Sequence, residues 1–64
     1  MKDLYEVMHY GIITHDYQWE EHFTDMPTKF CRVRIYCYGG QYYLVEELDG
    51  TIVSVDELGK EEMC

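Results

Sequence analysis

The chain has 64 residues, 47% of them apolar and 16% aromatic, with one proline and a formal net charge of −8. That length leaves room for one domain over residues 1–64, and the composition is not that of a disordered tail. Thirteen acids against five bases argue against direct binding to nucleic acid or an anionic membrane, because both need lysine and arginine to meet phosphates.

In chain order, "LYEVMHY" (4–10) and "YQWEEHF" (17–23) read as two strands joined by "GIITHD". Placing Tyr10 opposite Tyr17 matches Met8 with Trp19 and Leu4 with Phe23, all on one face. The same register sets Glu6 opposite Glu21, where like charges oppose each other. A helix over residues 2–10 is the rival reading, since Leu4, Val7 and Met8 fit helical spacing. Valine, the tyrosines and Gly11 favour the strand. "TDMPTKF" (24–30) is a crossing loop, with Pro27 forbidding a central strand.

Residues 31–55, "CRVRIYCYGGQYYLVEELDGTIVSV", read as three strands joined by two-residue turns at Gly39-Gly40 and Asp49-Gly50. Such turns fix the pairing. Tyr38 meets Gln41, Tyr36 meets Tyr43, Ile35 meets Leu44 and Arg32 meets Glu47. In the next hairpin Leu48 meets Thr51, Glu46 meets Val53 and Leu44 meets Val55, unless a bulge shifts the last strand. One face then collects Cys31, Val33, Ile35, Cys37, Tyr42, Leu44, Leu48, Val53 and Val55, and is expected to be the core. "SVDELGKEEMC" opens with a serine–glutamate capping pattern and predicts a short helical turn or a frayed tail. The expected fold is therefore all-β or mainly β, a curved antiparallel meander of about five strands.

The N-terminal "MKDLYEVMHYG" lacks the apolar stretch of a secretory leader. A cytoplasmic location follows as an expectation, with Cys31, Cys37 and Cys64 as reduced thiols. Metal and cofactor are not expected. Cys31 and Cys37 would lie about 20 Å apart on one strand, and no Cys-x-x-Cys or His-x-x-x-His pair is present. No catalytic residue is nominated, because core thiols are poor nucleophiles and a chain this short rarely encloses a substrate pocket.

The acids carry the functional expectation. Residues 1–25 sum to −5, residues 26–45 to +3 and residues 46–64 to −6, so two acidic segments flank a basic strand. Carboxylates two apart on a strand project about 6.6 Å apart, and a helical tail would space Asp56, Glu57, Glu61 and Glu62 comparably. Duplex DNA carries one charge per roughly 1.7 Å. A net −8 thus equals the charge on about 14 Å of duplex. Such a sheet suits a basic protein surface. The candidate contacts are Glu20, Glu21, Asp25, Glu46, Glu47, Asp49, Asp56 and Glu57, with Tyr36 and Tyr43 as flanking anchors.

With "WEEHFTD" and "VEELDG" on a compact acidic sheet, the chain resembles the small inhibitors that phages and mobile elements use against host nucleases and CRISPR effector complexes. The resemblance implies a stoichiometric nucleic-acid mimic without turnover, competing with DNA or RNA for a basic surface. The alternative is a regulatory adaptor, monomer or homodimer, docking through an aromatic sheet face or an open edge. In its dimeric form Tyr36, Tyr38 and Tyr43 would be buried between copies.

Overall fold

The computed structural model describes residues 3–22 and 24–60. Within them, α1 (Leu4–Tyr10) precedes β1 (Ile12–Glu21), β2 (Lys29–Tyr38), β3 (Gln41–Leu48) and β4 (Thr51–Lys60). The strands form one antiparallel meander in the order β1-β2-β3-β4. The class is mainly β as expected, with four strands where five were expected. No described helix is long and apolar enough to cross a membrane.

The missing strand is α1. Asp3 caps it, its side chain accepting from the Tyr5 N–H at 2.9 Å, so one orphan donor of the first turn is satisfied. Leu4, Val7 and Met8 then fall on one helical face. Val7 is 1% exposed and packs with Tyr36, Tyr43 and Val45, while Leu4, Met8 and Tyr38 close over the cluster. Tertiary packing outweighs the β preference of valine and tyrosine here. The partner expected for residues 4–10 has a different neighbour: β1 runs from Ile12, through the expected loop, and pairs with β2. Phe23, its expected contact for Leu4, lies outside the described residues.

Gly11 ends the helix, its N–H donating to the Val7 carbonyl at 2.8 Å. A side chain here would collide with that carbonyl, since a Cβ would sit 2.3 Å from it. The chain crosses directly above Tyr36 and Tyr38, whose side-chain atoms would lie 3.4 Å from the same Cβ.

The β2–β3 hairpin has the expected register throughout, from Tyr38 opposite Gln41 to Arg32 opposite Glu47. Both turns have two residues of positive φ, 58° and 77° at Gly39-Gly40 and 49° and 82° at Asp49-Gly50. These angles match the twist of the flanking strands. In the last hairpin Leu48 meets Thr51, but a bulge follows, so Glu46 meets Ser54 and Leu44 meets Asp56. The expected Glu46–Val53 and Leu44–Val55 pairs are thereby displaced by one residue. A second bulge between Tyr42 and Tyr43 carries the strand to Lys60, where a helical turn or frayed tail was expected. Glu61, Glu62 and Cys64 lie outside the described residues.

The core lies on the face opposite to the one expected. Among the described residues no helix covers the apolar set from Cys31 to Val53, in which Cys37 alone is buried, at 3% exposed, while Tyr36, Tyr43 and Val45, 2%, 4% and 0% exposed, are sealed beneath α1. The physical reason is the supply of cover. The expectation used two hairpins facing each other; with residues 4–10 helical and β1 joined to the main sheet, one short helix covers one end of one face.

Candidate functional site

Alternation along the strands sorts every side chain onto the helix face or the open face. Beyond the end of α1, the helix face carries a grid of internal ion pairs. Arg32 donates to Asp16 through Nε at 3.0 Å and Nη2 at 2.7 Å, a bidentate clamp between β2 and β1. Arg34 pairs with Glu47, both side chains nearly buried, and its guanidinium lies 5.6 Å from the centre of the Tyr36 ring. At the sheet's end Lys29 Nζ lies 3.4 Å from Asp49, whose Oδ1 also accepts from the Phe30 N–H at 2.8 Å.

These pairs set the titration of their carboxylates. The hydrogen bonds from Arg32 hold Asp16 below the usual carboxylate range. The Phe30 N–H, with Lys29 beside it, does the same for Asp49. Charge to hydrogen bond is the dominant route in both.

The candidate acids are therefore divided rather than gathered. Glu47 and Asp49 are held by Arg34 and Lys29. Glu20 and Glu57 stand on the helix face at opposite edges of the sheet, across from Phe30 and Tyr43. Glu21, Glu46 and Asp56 stand on the open face, and Asp25 occupies the loop after β1 with φ 61°. Glu6 does not oppose Glu21; it sits on α1 and accepts from the Tyr38 hydroxyl at 2.8 Å. Tyr36 and Tyr43, the expected anchors, are buried under the helix and present no surface. Of a dimer face built on Tyr36, Tyr38 and Tyr43, only the half-buried Tyr38 keeps any surface.

The open face holds what the sequence assigned to the core, except Val55, which meets Val45 on the helix face. Its rows run His15–Ile35–Leu44–Asp56, Tyr17–Val33–Glu46–Ser54 and Trp19–Cys31–Leu48–Thr51 across the four strands. Val53 stays on this face at the first bulge of β4, and the second bulge adds Leu58. Val53 joins Trp19, Cys31, Val33, Glu46 and Leu48 around one shallow depression, and Leu58 joins His15, Ile35 and Tyr42 around another. Trp19, Tyr17 and Val53 are 43%, 55% and 58% exposed. The His15 and Tyr17 rings stack with centres 6.0 Å apart, and the Trp19 indole N–H donates to Glu21 at 3.0 Å.

Four strands of about ten residues present a face of roughly 33 by 19 Å, or about 600 Å². Polar side chains, Glu46, Asp56, His15 and Ser54 among them, take part of that area, and the face as a whole approaches the roughly 800 Å² each partner buries in a standard interface. The alternating pattern that identified this face was legible in the sequence. Its lack of cover was not.

One of the described thiols differs from expectation. Cys37 is buried and disulfide-bonded rather than reduced. Cys31 is free and half-buried on the open face. Burial, with Glu21 and Asp49 nearby, pushes its thiol up, so little thiolate is available for nucleophilic attack. Among the described residues no three His, Cys, Asp or Glu side chains gather as a metal site. Comparison of the chain with protein-family models, with curated proteins and with solved structures found no match.

Proposed function

We propose that this protein is a stoichiometric binding protein that covers a basic surface of a partner protein and has no turnover of its own. One observation carries the reading: a sheet face with no covering helix among the described residues, on which large apolar side chains stand among carboxylates. An apolar face of this extent in water is an interaction surface or an aggregation hazard. Its acids Glu21, Glu46 and Asp56 supply the discrimination, attracting a cationic surface and repelling other acidic proteins.

Internal pairing sharpens the charge. Lys29, Arg32 and Arg34 are each bound to an acid of the same molecule. Among the described residues only Lys60 is a lysine or arginine outside such a pair, so the acids there without a cationic partner are Asp3, Glu6, Glu20, Glu21, Asp25, Glu46, Asp56 and Glu57. Proteins that handle nucleic acids, such as a nuclease or a CRISPR effector complex, offer matching cationic surfaces. The chain would act on them as an inhibitor by covering the surface. A regular phosphate-like array draws less support, because the acids are split between two faces and two of them are internally bound.

The test uses the immobilised chain and a host lysate, eluted with a salt gradient, followed by assay of the eluted protein's nucleic-acid binding with and without the free chain. Retention of a basic protein that releases at higher salt, and loss of its nucleic-acid binding at one equivalent, is the expected result. Retention that ignores salt, or an eluted partner that still binds nucleic acid when saturated with the chain, overturns the reading.

A further inference from the structure

We infer that Glu46, with Trp19 beside it, forms a receptor for one arginine of the partner, and that this requirement makes the partner a different protein rather than a second copy of the chain. The inference rests on the proposed function and specifies how the open face would be occupied.

Glu46 sits in the middle strands of the face. Val33 is its neighbour on β2 and Ser54 on β4, with Leu44 and Leu48 before and after it on the same side of β3. It is half-buried already and shares its depression with Trp19, Cys31, Val33, Leu48 and Val53; Arg32 and Glu47 also border it, but Arg32 is bound to Asp16 and Glu47 to Arg34. The neighbouring Glu47 points to the other face and is bound to Arg34. Among the described residues no cation lies within ion-pair distance of Glu46. An unpaired carboxylate among apolar side chains is a local conflict with the alternating pattern, and no ion pair among the described residues compensates it.

Covering the face makes the conflict acute. Pressing an apolar surface over Glu46 strips water from a charge and leaves it unpaired, which is strongly destabilising. The occupant must therefore bring a cation to this point. Arginine fits better than lysine: its planar fork meets a carboxylate with two bonds, and it stacks on aromatic faces. Trp19 lines the same depression and supplies such a face, its indole N–H already turned to Glu21.

A second copy of the chain does not meet the demand. Among the described residues the cation this face carries is Lys29, at the end of the sheet and bound to Asp49. Two copies packed face to face would bring Glu21, Glu46 and Asp56 against the same set, with no guanidinium between them. Charge complementarity thus selects a partner whose apolar patch has an arginine inside it.

The experiment uses the full chain and a synthetic peptide alternating leucine with arginine, beside the same peptide with citrulline for arginine. Citrulline keeps the shape and removes the charge. Binding is read from the emission of Trp19, the single tryptophan, and from amide shifts in the isotope-labelled protein. The expected result is saturable binding of the arginine peptide with shifts centred on Trp19, Val33, Glu46 and Val53. Glu46→Gln should weaken it by about tenfold or more, whereas Glu57→Gln, on the other face, should change it less than about twofold. Glu46→Gln should also melt no lower than the parent, since it removes an uncompensated charge.

Equal binding of the citrulline peptide, or no effect of Glu46→Gln, overturns the inference. So does sedimentation as a dimer in which Trp19 is shielded, because a second copy then occupies the face. If the arginine peptide binds in a salt-dependent way at Glu20, Asp25 or Glu57, the receptor falls while the proposed function stands. If neither peptide binds at any salt, both fall.

Discussion

The Tyr38 hydroxyl donates to a Glu6 carboxylate oxygen at 2.8 Å, tying the last residue of β2 to the first turn of α1. The helix has seven residues, too few to persist alone in water. It exists because Val7 fills the space over Tyr36, Tyr43 and Val45 and because this bond holds its N-terminal end down.

Replacing Tyr38 with phenylalanine should loosen the helix without unpairing the strands. The Glu6 hydrogen bond, with burial adding to it, raises the Tyr38 hydroxyl above the ordinary phenol range. Its stabilisation is then complete below the unfolded-state value and disappears as pH rises through the folded-state value. Unfolding followed by circular dichroism should show the parent losing stability as pH climbs past about 10. Tyr38→Phe should begin less stable at neutral pH and decline less over that interval. Parallel curves for the two proteins would mean the bond contributes nothing.

The acid limb has the opposite sign. Asp16 and Asp49 are both held below the usual carboxylate range, by Arg32 and by the Phe30 N–H respectively. Stability from each is present above the unfolded-state value and is lost as pH falls through the folded-state value. Asp16→Asn should therefore be less stable at neutral pH but lose less on acidification, giving a shallower acid transition. Adding salt should weaken the parent's dependence, because the Asp16–Arg32 pair is partly exposed and screened. An acid transition unchanged by the substitution would show that this pair does not set it.

How much of this molecule is legible in its sequence depends on how local the determining contacts are. The β2–β3 register follows from a two-residue turn and alternation, so it is read correctly down to Arg32 opposite Glu47. The face holding Cys31, Val33, Ile35 and Leu44 is likewise correct as a set. Which face is covered is a different kind of fact. It depends on whether "LYEVMHY" curls or extends, and seven residues carry both a helical stripe and strong β formers. Asp3 before that segment and Glu6 in its first turn are the capping signals that favour the helix. The bulge that turns Val55 to the helix face and brings Ser54 and Asp56 to the open face has no local marker, because no glycine or proline stands between Ile52 and Ser54. Of the candidate acids, the sequence shows their number but not their side; Glu46 and Glu47 are adjacent letters on opposite faces.

The helix–strand junction gives a test of close packing. Gly11 has φ −70° and ψ 158°, angles any residue adopts. On backbone grounds Gly11→Ala would stabilise by about 0.4–1 kcal/mol through a less flexible unfolded chain. The added Cβ, however, would lie 2.3 Å from the Val7 carbonyl oxygen, and overpacking of that kind typically costs about 1–3 kcal/mol. The steric term wins. Gly11→Ala should be destabilised in urea titration and should lose helical signal first. Val7→Ala, which empties the same junction, should cost about 2 kcal/mol. An alanine at position 11 more stable than the parent would mean that the helix end gives way at no cost.

The strongest electrostatic prediction concerns Arg34 and Glu47. Their side chains are 14% and 12% exposed, and the Arg34 Nε has no hydrogen-bond partner. Both ions are largely desolvated, so removing either strands the other. Breaking such a pair costs about 3–5 kcal/mol, while a domain of this length holds roughly 3–10 kcal/mol in total. Arg34→Met or Glu47→Leu alone should therefore leave the protein mostly unfolded, or nearly so, at 37 °C. The double replacement removes the desolvation penalty along with the attraction, and the new side chains extend the apolar surface of Tyr36 and Val45. It should recover stability to within about 1–2 kcal/mol of the parent. A double-mutant cycle in urea measures the coupling directly. Additive losses, with the double variant worse than either single one, would show that the two charges stabilise the sheet independently rather than as a pair.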